Sequence, residues 1–365
     1  MKFLMQNMKL SGTQTMEKNL QINYYGYFTP FGGYGIANIN WVKYLRRLGV
    51  DVLVHAKFKP QEGSPEWNVL TEEEKTMFTQ PFEKRFVGII ETNPFDFDTN
   101  ISDVKIANTM CESDHLAPAW AEKLSSMRHI IVPNEFNKRV FEKSGVTSPI
   151  EVIPHGIDIE RFFYYERPKP EIFTFGILGY LDATDRKGAF DVIRAFASEF
   201  EPDEPVELTI HSSDPMFNYY KYFKDQRISL DTNQLSFEEV NRFYQEIDCF
   251  VFPSKAEGIG YPPREAMATG LPVILTNWSG LEDIALSDIS YPLNPIRLEK
   301  RPNFIEQDGN WAIIDIQELM YRMRYVYEHQ EEAKLKGKKA AKHTISKYSW
   351  EVCALQLKEF LSQYV

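Results

Sequence analysis

Cysteine is scarce in this 365-residue chain, and the few present do not cluster. Cys111, Cys249 and Cys353 lie far apart, with no even pairing and no metal-ligand spacing. That excludes a disulfide scaffold and a cysteine-based zinc site, and points to a reducing, cytoplasmic setting. Long apolar runs are also missing, so no membrane span is expected. The opening MKFLMQNMKLSG has too short an apolar core for a secretory signal. Positive charge is in deficit: 41 Lys and Arg stand against 52 Asp and Glu, a net charge of −11. With a pI near 5.3, nonspecific nucleic-acid binding is disfavoured. The chain has no G-x-G-x-x-G fingerprint and no glycine loop ending in Gly-Lys-Ser/Thr. Tandem repeats and low-complexity tracts are absent as well.

What is present is a globular composition, 43% hydrophobic and 25% charged, long enough for two domains. One stretch organises it: Lys255 to Val273, KAEGIGYPPREAMATGLPV. An apolar run, Cys249 to Pro253, precedes it, and another, Val273 to Leu275, follows. The order strand, loop, short helix, strand is that of one βαβ unit. Pro262 and Pro263 fit a first helical turn, and Gly270 suits a helix end with positive φ. Glu257 then sits in a glycine loop beyond a strand's carboxyl end, with Glu265 in the first helical turn. Ligands of open α/β sheets bind at that edge. The amides near Gly258, Ile259, Gly260 and Tyr261 can approach an anion or hydroxyl-rich ligand, and carboxylates accept strongly from sugar hydroxyls.

This stretch resembles the E-x7-E signature of retaining glycosyltransferases with the GT-B fold, most closely family 4. The resemblance combines the glutamate spacing with the glycines, the helix and the following strand. It implies an α/β chain with two Rossmann-like domains facing a cleft and a C-terminal helix returning to the first domain. On that basis residues 1–155 form the acceptor-side domain, 156–345 the donor-binding domain, and 346–365 the returning helix.

In the first half, Leu20 to Phe28 reads as a strand, followed by a glycine loop with Gly32 and Gly33. A helix begins near Ile36, with Ala37, Trp41, Tyr44, Leu45 and Leu48 on one face and Gly49 closing it. Alone, that loop is an anion site or a plain tight turn; the resemblance implies that it meets the donor diphosphate and faces the acceptor. Val52 to Ala56, Val87 to Glu91, Val104 to Asn108 and Ile130 to Pro133 read as strands, and Glu135 to Lys143 as a helix. Many family members carry a histidine after the strand ending near Asn108. Here Cys111 takes its place and Glu112 follows, leaving Glu112 or His115 as the polar residue near the sugar; His115 also suits packing or capping.

PHGID, from Pro154 to Asp158, resembles the family's entry into the second domain, making His155 a crossover residue that can line the cleft. Ile172 to Leu181 and Val206 to His211 read as strands, Ala189 to Phe200 as a helix, Met216 to Phe223 as another, and Arg227 to Leu230 as a strand. Arg186 and Lys187 precede the helix at Ala189. Alone they are a solvated pair or an anion site; the resemblance implies that they bind the donor diphosphate. Ser236 and Glu239 form a capping box, flanked by a Leu235/Val240 staple, and the resemblance puts Gln234 and Leu235 near the nucleobase. NWSGLEDI suggests another helix. The basic runs Arg297 to Arg301 and Lys334 to His343 read as solvated faces, or as contacts for a phosphorylated acceptor or a membrane surface. WEVCALQLKEFLSQYV has amphipathic spacing.

The implied reaction moves a sugar from a nucleotide diphosphate sugar to an acceptor hydroxyl with retention of configuration. Arg186, Lys187, the amides near Gly33 and two helix N-termini stabilise the leaving diphosphate; Glu265 holds the ribose; Glu257 and the Gly258–Gly260 amides hold the donor sugar. The nucleotide sugar is a substrate, and no cofactor or metal is expected, since no D-x-D segment stands at a donor-side strand end. The acceptor stays open among glycan, lipid-linked carrier, small molecule, protein and modified nucleobase. A sugar-nucleotide epimerase or hydrolase, or a non-catalytic nucleotide-sugar binder, would share the architecture.

Overall fold

The computed structural model describes residues 20–81, 83–217, 225–300 and 309–364. The first domain runs β1 Gln21–Tyr27, α1 Gly33–Arg47, β2 Asp51–Phe58, α2 Pro65–Asn68, α3 Glu72–Lys75, β3 Arg85–Glu91, β4 Ser102–Asn108, α4 Pro118–Ser125, β5 His129–Val132, α5 Glu135–Lys143 and β6 Ile150–Val152. Its parallel sheet has the order β2-β1-β3-β4-β5-β6. The second domain runs β7 Phe173–Gly179, α6 Ala189–Glu199, β8 Val206–Ser212, β9 Ile228–Asp231, α7 Phe237–Glu246, β10 Cys249–Phe252, α8 Tyr261–Ala268, β11 Val273–Thr276 and β12 Tyr291–Leu293. Its parallel sheet has the order β12-β11-β10-β7-β8-β9. A hairpin, β13 Pro295–Lys300 with β14 Asn310–Ile314, leads to α9 Ile316–Glu328, α10 Gln330–Tyr348 and α11 Trp350–Leu361. No described helix is long and apolar enough to cross a membrane.

Parallel strands covered on both faces must be apolar throughout. In β10, Cys249 and Val251 enter one core, and Phe250 and Phe252 the other. In β3, Ile89 and Ile90 divide in the same way. Local signals set the helix ends. Gly49 and Gly270 take positive φ, and the Ser236/Glu239 capping box closes both ways, with Ser236 N–H donating to Glu239 Oε2 at 2.7 Å. The 57–83 segment is short helix and loop, as its polarity suggests.

Three expectations need correction or limits. NWSGLEDI forms only a single 3-10 turn, Ser279–Leu281, because Ser279 takes φ 57° and its hydroxyl accepts from Glu257 N–H. Glu265 is the fifth residue of α8, in the second turn rather than the first, because Tyr261 already opens the helix behind Gly260. Most of the helix expected over Met216 to Phe223 lies outside the described residues.

The chain passes between the domains twice, and the two passages touch. Ile157 N–H donates to Tyr348 O at 2.6 Å. A Cβ on Gly156 would lie 2.5 Å from Trp350 Cα, so this close approach needs glycine. Beyond it α11 returns to the first domain, where Trp350 packs edge-on against Trp41 at 4.9 Å and Leu357 and Leu361 join the same core. Lys358 Nζ donates to Leu48 O at the far end. Trp350 is 1% exposed, so Trp350→Ala should cost roughly 3–5 kcal/mol. Urea unfolding checks this, and an unchanged midpoint would show that α11 contributes nothing to the first domain.

Candidate active site

Both sheets reverse direction beside their first strand, and in such folds the crevice forms at that reversal. In the second domain it lies between β7 and β10. The loop after β7 carries Arg186 and Lys187; the loop after β10 carries Glu257. Facing it are the loop after β1, with Gly33, and the turn after β4, with Met110 and Glu112. Together they enclose a cavity of about 420 Å³. Arg186, Lys187, Glu257, Glu112, Gly33, Gly258, Ile259, Gly260, Tyr261, Glu265, Gln234 and Leu235 all line it. Gly32 stands just behind as the cap of α1.

His155 is placed elsewhere. It is buried beside Trp41 and Trp350 at the crossover, with Nδ1 2.9 Å from the Tyr261 hydroxyl. Burial pushes its pKa down to about 3, so the ring is neutral there. His115 does not line the cavity either; its Nδ1 lies 3.4 Å from Ser144 Oγ.

Glu257 is the electrostatic centre. Its Oε1 accepts from Lys187 Nζ at 2.5 Å, Ser254 Oγ at 2.7 Å and Arg186 at 3.2 Å. Burial would raise this carboxyl, but Lys187 and Arg186 outweigh it and hold Glu257 below the usual carboxylate range. Burial and the Arg186 charge pull Lys187 down in turn. Arg186 also reaches Glu112 across the cleft at 3.5 Å. The two cations are therefore partly offset before any ligand arrives.

The loop that follows is held by its carbonyls. Ala256 O accepts from Arg186 at 2.6 Å and Glu257 O from Gly280 N–H at 2.9 Å. Gly258 O accepts from Asn134 at 2.8 Å, and Ile259 O from Arg264 Nε at 3.1 Å. The amides of Gly258, Ile259 and Gly260 meet no acceptor among the described residues. With Gly260 at φ 76° and α8 opening behind it, a set of N–H donors is left to the cavity. Such donors suit an anion or hydroxyl oxygens.

Glu265 faces the same cavity from α8. The Tyr244 hydroxyl lies 2.9 Å from its Oε2. Burial pushes Glu265 up to about 7, against the smaller opposing effects of Tyr244 and Arg161. Ser254, Ser279, Asn134, Met110 and Tyr244 were not singled out from the sequence. Only Asn134 left a local trace, as a cap residue before α5; the others are joined to the loop by tertiary contact alone. No group of three or more His, Cys, Asp or Glu is placed to hold a metal among the described residues.

Residues 172–290 match the family model described as Glycosyl transferases group 1. That stretch holds Arg186, Lys187, Glu257 and Glu265. A sulfoquinovosyl transferase of Arabidopsis thaliana is 28% identical over 127 residues, 35% of this chain and 22% of that protein. Matches span 22% and 48% of the length of two curated relatives. Among solved structures, sucrose-phosphate synthase of Thermosynechococcus elongatus superposes with TM-score 0.69 at 15% identity, over 95% of this chain and 99% of that one. The Anabaena protein HepE, crystallised with UDP and glucose, gives TM-score 0.67 at 15% identity, over 94% and 100%. The fold is that of the GT-B glycosyltransferases: two parallel-sheet, Rossmann-like domains.

The raised Glu265 carboxyl has a measurable consequence. The folded state binds more protons than the unfolded one between pH 4.5, the ordinary value, and about 7. Stability is then greatest below pH 4.5 for this group and falls as pH rises through about 7. Glu265→Gln should flatten that slope, worth on the order of 1–3 kcal/mol. Melting temperature against pH for both proteins checks it; identical profiles would mean that Glu265 titrates normally.

Proposed function

We propose that this protein is a retaining glycosyltransferase that moves a sugar from a nucleotide diphosphate sugar to an acceptor hydroxyl. The observation that carries this reading is the Glu257–Lys187–Arg186 cluster joined to a loop with free amides at the strand reversal. The cations suit charge that grows on a departing diphosphate, and the free amides beside them suit the hydroxyls of the sugar it leaves. In the transfer, the bond from the anomeric carbon to the phosphate oxygen breaks and its electron pair leaves with the diphosphate. The acceptor oxygen bonds to the same carbon on the same face, and its proton passes to the departing phosphate oxygen. Glu265 accepts from the ribose hydroxyls, and Glu257 with the Gly258–Gly260 amides holds the donor sugar. Gln234 and Leu235 meet the base. The neighbouring structure with UDP and glucose makes uridine diphosphate sugars the first donors to try.

Acceptor binding falls to the first-domain wall, where Pro30, Phe31, Tyr34, Met110 and Glu112 line the cavity. Phe31 is 40% exposed, an apolar face that a sugar ring or base can cover. A sugar-nucleotide hydrolase would need no acceptor, and donor turnover without one would favour it.

Arg186→Ala should lower the single-turnover transfer rate about 100- to 1,000-fold at saturating donor, as removal of a charge-stabilising donor does elsewhere. Lys187 still neutralises Glu257 in that variant, so the fold should survive. Lys187→Ala should cost stability as well, because it takes the closest cation from a buried carboxylate. A wild-type rate for Arg186→Ala would reduce the pair to a structural role.

Transfer should retain configuration and proceed in excess chelator, the positive charge coming from Arg186, Lys187 and the helix N-termini. NMR of the product anomer and a chelator titration test the two halves. Activity abolished by chelator and restored by magnesium or manganese would overturn the metal-free reading; an inverted product would overturn retention.

A further inference from the structure

Of the four carbonyls that anchor the donor loop, three are held from within their own domain and one from across the cleft. Gly258 O is the exception. Asn134, the cap of α5 in the first domain, accepts Asn137 N–H through Oδ1 at 3.0 Å. Its Nδ2 is then free to donate, and reaches Gly258 O at 2.8 Å. Asn137 Nδ2 lies 2.8 Å from Asn134 Oδ1 and 3.4 Å from the same Gly258 carbonyl. Asn137 Oδ1 accepts from Cys111 N–H, which fixes the amide's orientation. Both asparagines are buried. Serine, threonine or aspartate would cap α5 equally well. Only asparagine among the preferred caps carries an acceptor and an N–H donor on one side chain.

A trans peptide points its C=O and N–H in opposite directions. Holding Gly258 O toward the first domain therefore sends Ile259 N–H the other way. Met110 lies against Gly258 so closely that an added Cβ would come within 2.5 Å of its Sδ, so the peptide has little freedom once the cleft is closed. We infer that Asn134 and Asn137 are positioning residues through which the first domain completes the donor-sugar site. When the cleft opens, Gly258 O loses both donors and the amide set loses its fixed direction. Nucleotide binding to the second domain and sugar alignment become separate events, the latter requiring closure. The inference rests on the donor reading above.

The test uses the full chain with Asn134→Asp and Asn134→Ser. Both keep an oxygen to cap α5; Asp has no N–H to give, and Ser is too short to span the cleft. Calorimetry would compare UDP-, ADP- and GDP-sugars with the free nucleoside diphosphates. For whichever nucleotide sugar the wild type takes, both variants should bind about tenfold more weakly, the scale of one lost hydrogen bond. Binding of the matching free diphosphate should stay at the wild-type value, while the melting temperature falls slightly with the lost interdomain hydrogen bond. A merely structural role would weaken both ligands together, and that result overturns the inference. Wild-type affinity for the nucleotide sugar in both variants overturns it too. A wild type that binds none of the nucleotide sugars would overturn the donor reading itself, and this inference with it.

Discussion

Glu257 is a carboxylate only 5% exposed in the loop beyond a buried strand. An isolated charge so placed would cost several kcal/mol. It is stable because Lys187, Arg186 and Ser254 converge on one of its oxygens. Those partners come from the loops after β7 and β10, strands that are neighbours only because the strand order reverses there. The surrounding structure follows from keeping that cluster in place. Arg186 reaches past Glu257 to Ala256 O, and Lys255 N–H returns to Arg186 O at 2.7 Å. The loops are thus tied side chain to backbone in one direction and backbone to backbone in the other, and the free amides beyond them inherit a fixed geometry.

The second constraint is the meeting of the two domains. At the crossover it is apolar and close-packed: Trp41, Trp350 and a neutral His155, with no room for a side chain at Gly156. Near it, Lys43 is buried between Glu74 at 3.7 Å and Asp158 at 3.9 Å, joining the first domain to the passage. At the cleft, apolar contacts stand beside polar ones: Phe136 packs edge-on against Trp278 at 5.4 Å, and Met110 lies against Gly258. Asn134 meets Gly258, Arg139 meets Glu282 and Asp114 meets Asn310.

Much of this was legible because it is local. The capping box at Ser236, the helix ends at Gly49 and Gly270, and the apolar strands each depend on residues close in sequence. α5 begins and ends where its cap and charges place it, Glu135 to Lys143. Expectation failed where distant partners override local pattern. NWSGLEDI has helical composition, yet Ser279 and Gly280 are committed to the Glu257 backbone and the segment makes only one turn. His155 is the crossover residue its motif implied, but the crossing of two chain passages keeps it in the core and out of the cleft. The hairpin β13–β14 offered only a basic run, whose Arg297 pairs with Glu299 on the surface.

The sequence by itself determined the order of strand, loop and helix around Glu257 and Glu265, because periodicity, caps and turn residues act within a few positions of themselves, while its resemblance to the E-x7-E families implied the two Rossmann-like domains and pointed to Arg186 and Lys187. Tertiary structure alone decided what those groups experience. Lys187 and Arg186 are 70 and 71 positions from Glu257, and only the strand order makes them its counter-ions. Glu265 is raised because the fold buries it, against the opposing hydrogen bond from Tyr244. Asn134 is a helix cap in the sequence and a donor to Gly258 only in the closed molecule, since a hydrogen bond depends on where two atoms meet in space.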